Sequence, residues 1–214
     1  MKEFPKQSDK QEKEPVIFIK RSTDAPRKLK ENPFYDPEFW GRAKSADDVY
    51  LPDSDEALSF AIAAHEIGHL VKEGEILTAT LDDFDATRAE EERAWQKGWV
   101  YLKKHLPDYY QADVETMYRV EDAYGKIKDL MMQAVDFSKT MYLEKGRLEN
   151  NDKEKYAAAL KTQRNDLLKT EEGQKILELF KKIKDQKINK KTDWERFVKI
   201  IHKALAEIIK DNNK

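Results

Sequence analysis

The 214-residue chain contains no cysteine, which excludes disulfide frameworks, thiolate zinc sites, iron–sulfur clusters and cysteine nucleophiles together. Any metal must therefore be held by histidine and carboxylate. No apolar run approaches the roughly 18 residues of a membrane span, and the opening MKEFPKQSDKQEKEP lacks the apolar stretch of a secretory signal. No membrane partner is expected, and the cytoplasm is the expected location. Gly-rich phosphate loops, a G-x-S-x-G elbow, an aromatic-plus-basic RNA motif and repeats of 20–50 residues are also missing. Proline does not occur after Pro107, and only Gly125, Gly146 and Gly173 follow it, so the second half of the chain should be built from long helices.

What is present is charge. Hydrophobic residues make up 39% of the chain and charged residues 38%, a balance that predicts amphipathic helices with heavily solvated faces. The net charge of −2 is unevenly spread, at +4 over residues 1–30, −12 over 31–150 and +6 over 151–214. Lysine interleaved with glutamate and aspartate in the basic ends reads as a solvated helix surface, so nucleic acid is not an expected partner.

Residues 1–14 have almost nothing to bury and read as a disordered tail. VIFIKR, Val16 to Arg21, carries a strand signal, and DDVYLP a second one ending at Pro52. Between them, the stretch from Ser22 to Ser45 combines Pro26, Pro33 and Pro37 with Phe34, Tyr35, Phe39 and Trp40, as in a loop pinned by aromatics. Asp53 and Glu56 have capping-box spacing, which predicts a helix over 54–73 before Gly74. Glu75 to Leu81 fits a strand or a loop. A second helix is expected over 85–105, closed by Leu106-Pro107, then helices over 110–146 with a possible break at Gly125, 151–168, 171–186 after Thr170, and 193–210 with Thr192 and Glu195 as a capping box. Apolar stripes of Leu177, Phe180 and Ile183, and of Trp194, Phe197, Ile201, Leu205 and Ile208, should complete the chain's own core.

AIAAHEIGHL places His65, Glu66 and His69 as HExxH inside helix 54–73. At 3.6 residues per turn the two histidines lie one turn apart on one face and can reach a single ion. Glu66, beside them, is of the type that takes a proton from water and gives it to a leaving amine. Leu58 and Ile62 continue the histidine stripe, and Phe60, Ala63, Ala64, Ile67, Leu70 and Val71 cover the other side, so the helix should be buried. Buried histidines need partners for their polar atoms, and a metal supplies one. The competing reading is a hydrogen-bonded core pair or a surface His–Glu cluster.

A catalytic zinc site takes three protein ligands and keeps one position open. Glu90, Glu91 and Glu92 lie 21, 22 and 23 residues beyond His69 on the next helix. Periodicity favours Glu91, because Phe84, Glu91, Ala94, Trp95, Gly98 and Leu102 share one face; Glu92 ranks second and Glu90 third, at least one of them serving as a solvated acidic first turn. Tyr109, Tyr110, Tyr118, Arg119 and His105 are candidate oxyanion donors that no spacing singles out. Asp82, Asp83 and Asp85 could cap the helix or orient a ligand histidine, and His202 reads as structural.

HExxH followed by a helical glutamate resembles the gluzincin branch of the zincin metallopeptidases. Glu91-Glu92-Arg93-Ala94-Trp95 is similar to the E-x-x-A-N stretch of small ImmA/IrrE-like peptidases, with Trp95 where that pattern has a polar residue. The metzincin pattern is not met, since Lys72 and Glu75 stand where its glycine and third histidine belong. The resemblance spans about residues 47–105 and implies an α+β, predominantly helical, zincin-like metallopeptidase domain with a C-terminal helical extension. The expected division is a 1–14 tail, a 15–106 metal-binding core and a 107–214 helical extension packing on it. The expected activity is zinc-dependent hydrolysis of a peptide or protein substrate, with His65, His69 and Glu91 as ligands and Glu66 as general base. The alternative is a non-catalytic metal-stabilised module whose helical half binds a regulatory protein or nucleic acid.

Overall fold

A computed structural model of the chain describes residues 16–30, 35–72, 84–137, 139, 169–186 and 190–214. The tail expected over 1–14, the open stretch Glu75 to Leu81, the helix expected over 151–168, and Pro33, Phe34, Asp82 and Asp83 lie outside the described residues. Those described form a mostly helical α+β fold with one small sheet.

The sheet has three short strands, β1 (Ile19–Arg21), β2 (Arg42–Ser45) and β3 (Asp48–Leu51), in the order β1-β3-β2. β1 runs parallel to β3, with Ile19 opposite Val49, and β2 runs antiparallel to it, with Arg42 opposite Tyr50. The first expected strand is shorter than its apolar run, and Val16 and Phe18 are exposed. β2 lies inside the stretch read as loop; Arg-Ala-Lys-Ser has no β-branched residue, and its strand conformation comes from pairing with β3. The loop before it is pinned by aromatics, Tyr35 against Trp40, Trp40 against Tyr50, and Phe39 edge-on to Phe180.

Beside a single 3-10 turn at Ser22–Asp24, seven α-helices are described: α1 (Arg27–Lys30), α2 (Glu56–Gly68), α3 (Phe84–Lys103), α4 (Leu106–Tyr110), α5 (Val114–Phe137), α6 (Glu171–Asp185) and α7 (Trp194–Asn212). Asp55 caps α2 by accepting the Ala57 N–H at 3.1 Å, whereas Asp53 pairs with Arg21 at 2.7 Å. The helix ends at Gly68 with His69 as its C-cap, short of the expected residue 73. Pro107 does not merely stop α3 but sits in the first turn of α4, where its missing N–H forfeits no helical bond. α5 runs through Gly125 without a break. Thr170 caps α6 as expected. Asp193, not Thr192, caps α7, because the Thr192 hydroxyl is committed to Ser54 O and Ser59 Oγ.

α2 sits at the centre, against α3, α5 and the sheet. Its Leu58, Phe60, Ile62 and Ile67 join Trp95 and Leu102 of α3, Ile127 of α5, and Phe197, Ile201 and Leu205 of α7 in one cluster. α7 thus packs into this chain's own core. On α6 Ile183 is buried and Phe180 packs partly buried against the core, as the expected stripe has them, whereas Leu177 is exposed and Ile176 and Leu179 are buried in addition.

The contact that positions the site is between α2 and α3. A Cβ on Gly98 would overlap the Ala64 carbonyl oxygen, and one on Gly68 would overlap that of Ala94. The two backbones therefore touch through glycine, as small residues permit and larger ones forbid. This contact carries α3's buried face, Phe84, Ala94, Trp95, Gly98 and Leu102, onto α2 and brings Glu91 with it.

Candidate metal centre

His65 and His69, one turn apart on the last stretch of α2, face each other with Nε2 atoms 3.2 Å apart. From α3, Glu91 Oε2 lies 3.2 Å from His65 Nε2 and 3.9 Å from His69 Nε2. Among the described residues these three form a group able to hold a metal ion. Ligands about 2.0–2.1 Å from a tetrahedral zinc stand about 3.3 Å from one another, so two edges of the triangle fit and the third is slightly open. The chemistry of the set also fits: two imidazole nitrogens and a carboxylate oxygen converge with electron pairs that only a proton or a cation can satisfy. The side chains of His65, Glu91 and His69 are 12%, 20% and 25% exposed, so the group reaches solvent.

The electrostatics reflect the crowding of acid around the histidines. Burial opposes a charge on His65, but the hydrogen bond to Glu91 and the charges of Glu66, Glu91 and Glu90 outweigh it and raise the imidazole pKa. Glu66 is pushed above the ordinary carboxylate range by burial, against the pull of His65 and His69. Its Oε2 accepts the Ala43 N–H at 3.0 Å. β2 is an edge strand, and this contact spends one of its N–H groups on the Glu66 carboxylate.

Three adjacent glutamates have three different surroundings. Glu91 joins the histidine nitrogens. Glu92 points away, 44% exposed, and pairs with Arg88 at 3.2 Å. Glu90 does not enter the triangle but reaches the opposite nitrogen of one histidine, with Oε1 3.2 Å from His69 Nδ1. Arg93 holds it by two hydrogen bonds of 2.6 Å. The spacing of Glu90 and Arg93, one helical turn, was the only sequence signal for this pair. Trp95, at the position where the ImmA/IrrE-like pattern has a polar residue, stacks obliquely on His65, ring centroids 4.6 Å apart at 31°. No hydrogen-bond partner meets the buried Nδ1 of His65 among the described residues.

The other candidates are engaged elsewhere. Tyr109 donates its hydroxyl to Glu56 Oε1 at 2.6 Å and accepts the Asp193 N–H at 3.0 Å, at the far end of α2. Tyr110 packs beside it against Phe60. Tyr118 is exposed, and Arg119 pairs with Glu115 on the surface. His105 lies 3.0 Å from Glu207 of α7. Asp85 and His202 are exposed.

No protein-family model, curated protein or solved structure matches the chain.

Proposed function

We propose that the chain is a zinc-dependent peptidase of zincin-like construction. The observation that carries this reading is the convergence of His65 Nε2, His69 Nε2 and, from α3, Glu91 Oε2 at separations of 3.2, 3.2 and 3.9 Å, with both histidines at the end of the helix that also bears Glu66. A divalent ion bound there would supply Lewis acidity to a scissile carbonyl and to the attacking water. His65, His69 and Glu91 would hold that ion. Glu66 accepts the proton of the attacking water and delivers it to the leaving amine, so that the C–N bond breaks to a carboxylate and an amine. Burial raises the pKa of the Glu66 carboxyl, which moves it toward the range where a base works at neutral pH. The Ala43 N–H fixes one of its oxygens and leaves the other for the water. The partial exposure of the site favours this reading over a sealed, purely structural metal module.

The test is Glu66→Gln. Hydrolysis of a quenched fluorescent peptide mixture should fall by about 10²- to 10⁴-fold while zinc content per chain is unchanged, because the amide cannot accept the proton and both imidazoles remain. Loss of zinc in this variant would make Glu66 a ligand and refute the mechanism.

A further inference from the structure

Resting on the metal reading above, the geometry points to Glu90 and Arg93 as positioning residues: together they fix the proton of His69 on Nδ1, so that its Nε2 electron pair faces His65 and Glu91. His69 needs such support more than His65 does. It is the C-cap of α2 (φ −63°, ψ −20°) and the more exposed of the two imidazoles. His65 is embedded a turn earlier and is held by the stack on Trp95.

The clamp has three linked parts. Glu90 Oε1 stands 3.2 Å from His69 Nδ1; an ionised carboxylate can only accept, so that nitrogen must be the one carrying the hydrogen. Arg93 binds both carboxylate oxygens, a fork-to-fork geometry that allows the glutamate little rotation. The same guanidinium also reaches the carbonyls of Val71 at 2.9 Å and Gly68 at 3.4 Å. These oxygens belong to the end of α2 and to the turn that follows it, where a cation also complements the helix dipole. One arginine thus ties the backbone turn that carries His69 to the carboxylate that orients its ring. Asn212 of α7 ties the same turn by a separate route, accepting the Lys72 N–H and donating to Leu70 O, both at 2.8 Å, and is not among the groups bonded to the imidazole.

That arrangement separates orientation from mere tethering. The experiment is nitrogen NMR of the histidine rings in the metal-free full chain, paired with zinc titration, for wild type, Glu90→Ala, Glu90→Gln, Arg93→Ala and Asn212→Ala. In wild type the neutral His69 should be the Nδ1–H tautomer, and in Glu90→Ala a mixture. Zinc should bind about 10- to 100-fold more weakly in Glu90→Ala and in Arg93→Ala. Glu90→Gln, whose carbonyl still accepts the Nδ1–H, should recover much of the loss, and Asn212→Ala should stay near wild type. Wild-type tautomer and affinity in Glu90→Ala would overturn the inference, as would an equal loss in Asn212→Ala, which would reduce the clamp to a loosened turn. A wild type that takes up no zinc yet shows the Glu90-dependent tautomer would refute the metal reading and leave the clamp standing.

Discussion

The two ends of α2 both bury polar groups, and they do so in opposite ways. At the N-terminal end Glu56 is wholly buried, and donors meet it: the Tyr109 hydroxyl at 2.6 Å and, less closely, the Lys190 ammonium at 3.7 Å. Around it, Glu56 N–H donates to Lys190 O, Thr192 N–H to Ser54 O, and Asp193 N–H to the Tyr109 hydroxyl. Donors answer most of the acceptors there, Glu56 Oε2 being the buried exception, and the result is a joint that fastens the segment before α7 to the central helix. At the C-terminal end His65, His69 and Glu91 turn electron-pair acceptors toward one another. A buried acceptor without a donor is costly, so that cluster is stable only with a proton or a cation among its members. The first arrangement is architecture; the second is what a binding site requires.

The largest effect is expected at the backbone contact between α2 and α3. Gly98→Ala drives a methyl group into the Ala64 carbonyl. Overpacking against backbone costs about 3 kcal/mol, offset by about 1 kcal/mol of helix propensity, and denaturant titration should show a net loss of about 2 kcal/mol, with weaker zinc binding as Glu91 retreats. Tyr109→Phe breaks only the N-terminal joint. Leaving Glu56 without its donor should lower stability by about 1–3 kcal/mol with zinc affinity unchanged; a matching loss of zinc would mean the two ends are not independent.

The same joint should be sensitive to alkali. Burial first, and then the hydrogen bond to Glu56, raise the Tyr109 pKa above its ordinary 10.0. The folded state therefore keeps a proton that the unfolded chain releases near pH 10, so this stabilisation is complete below that pH and declines as pH rises through and beyond it. The thermal midpoint should fall faster between about pH 9 and about pH 11 in wild type than in Tyr109→Phe; parallel curves would contradict the assignment. The smallest effect belongs to Glu92→Ala, which removes a surface pair with Arg88 and should change stability by no more than about 0.5 kcal/mol and zinc binding not at all.

Much of the site could be read from spacing alone. HExxH places two histidines one turn apart wherever a helix forms, and the stripe through Ala94, Trp95, Gly98 and Leu102 gives the phase of α3 and hence singles out Glu91. What spacing misses is anything decided by partners distant in sequence. β2 has no strand signal of its own and exists because β3 pairs with it. The caps at Asp55 and Asp193 lie within two residues of the expected Asp53 and Thr192, in runs where several side chains can accept, and the choice falls to whichever is not taken by Arg21 or by Ser54 and Ser59. Glu90 shows the limit of face analysis most clearly. A helical wheel directs it about 100° away from Glu91, which keeps it out of the triangle, yet an imidazole has two nitrogens and Glu90 reaches the one behind.

The central claim, that the C-terminal end of α2 is a metal centre completed by Glu91, is tested most directly by zinc binding to purified wild type, His65→Ala and Glu91→Ala, followed by calorimetry and by elemental analysis. Wild type should bind one zinc per chain, and each substitution should remove most of the affinity while the fold is retained. A wild type that binds none, or variants that bind as tightly as wild type, would contradict the account.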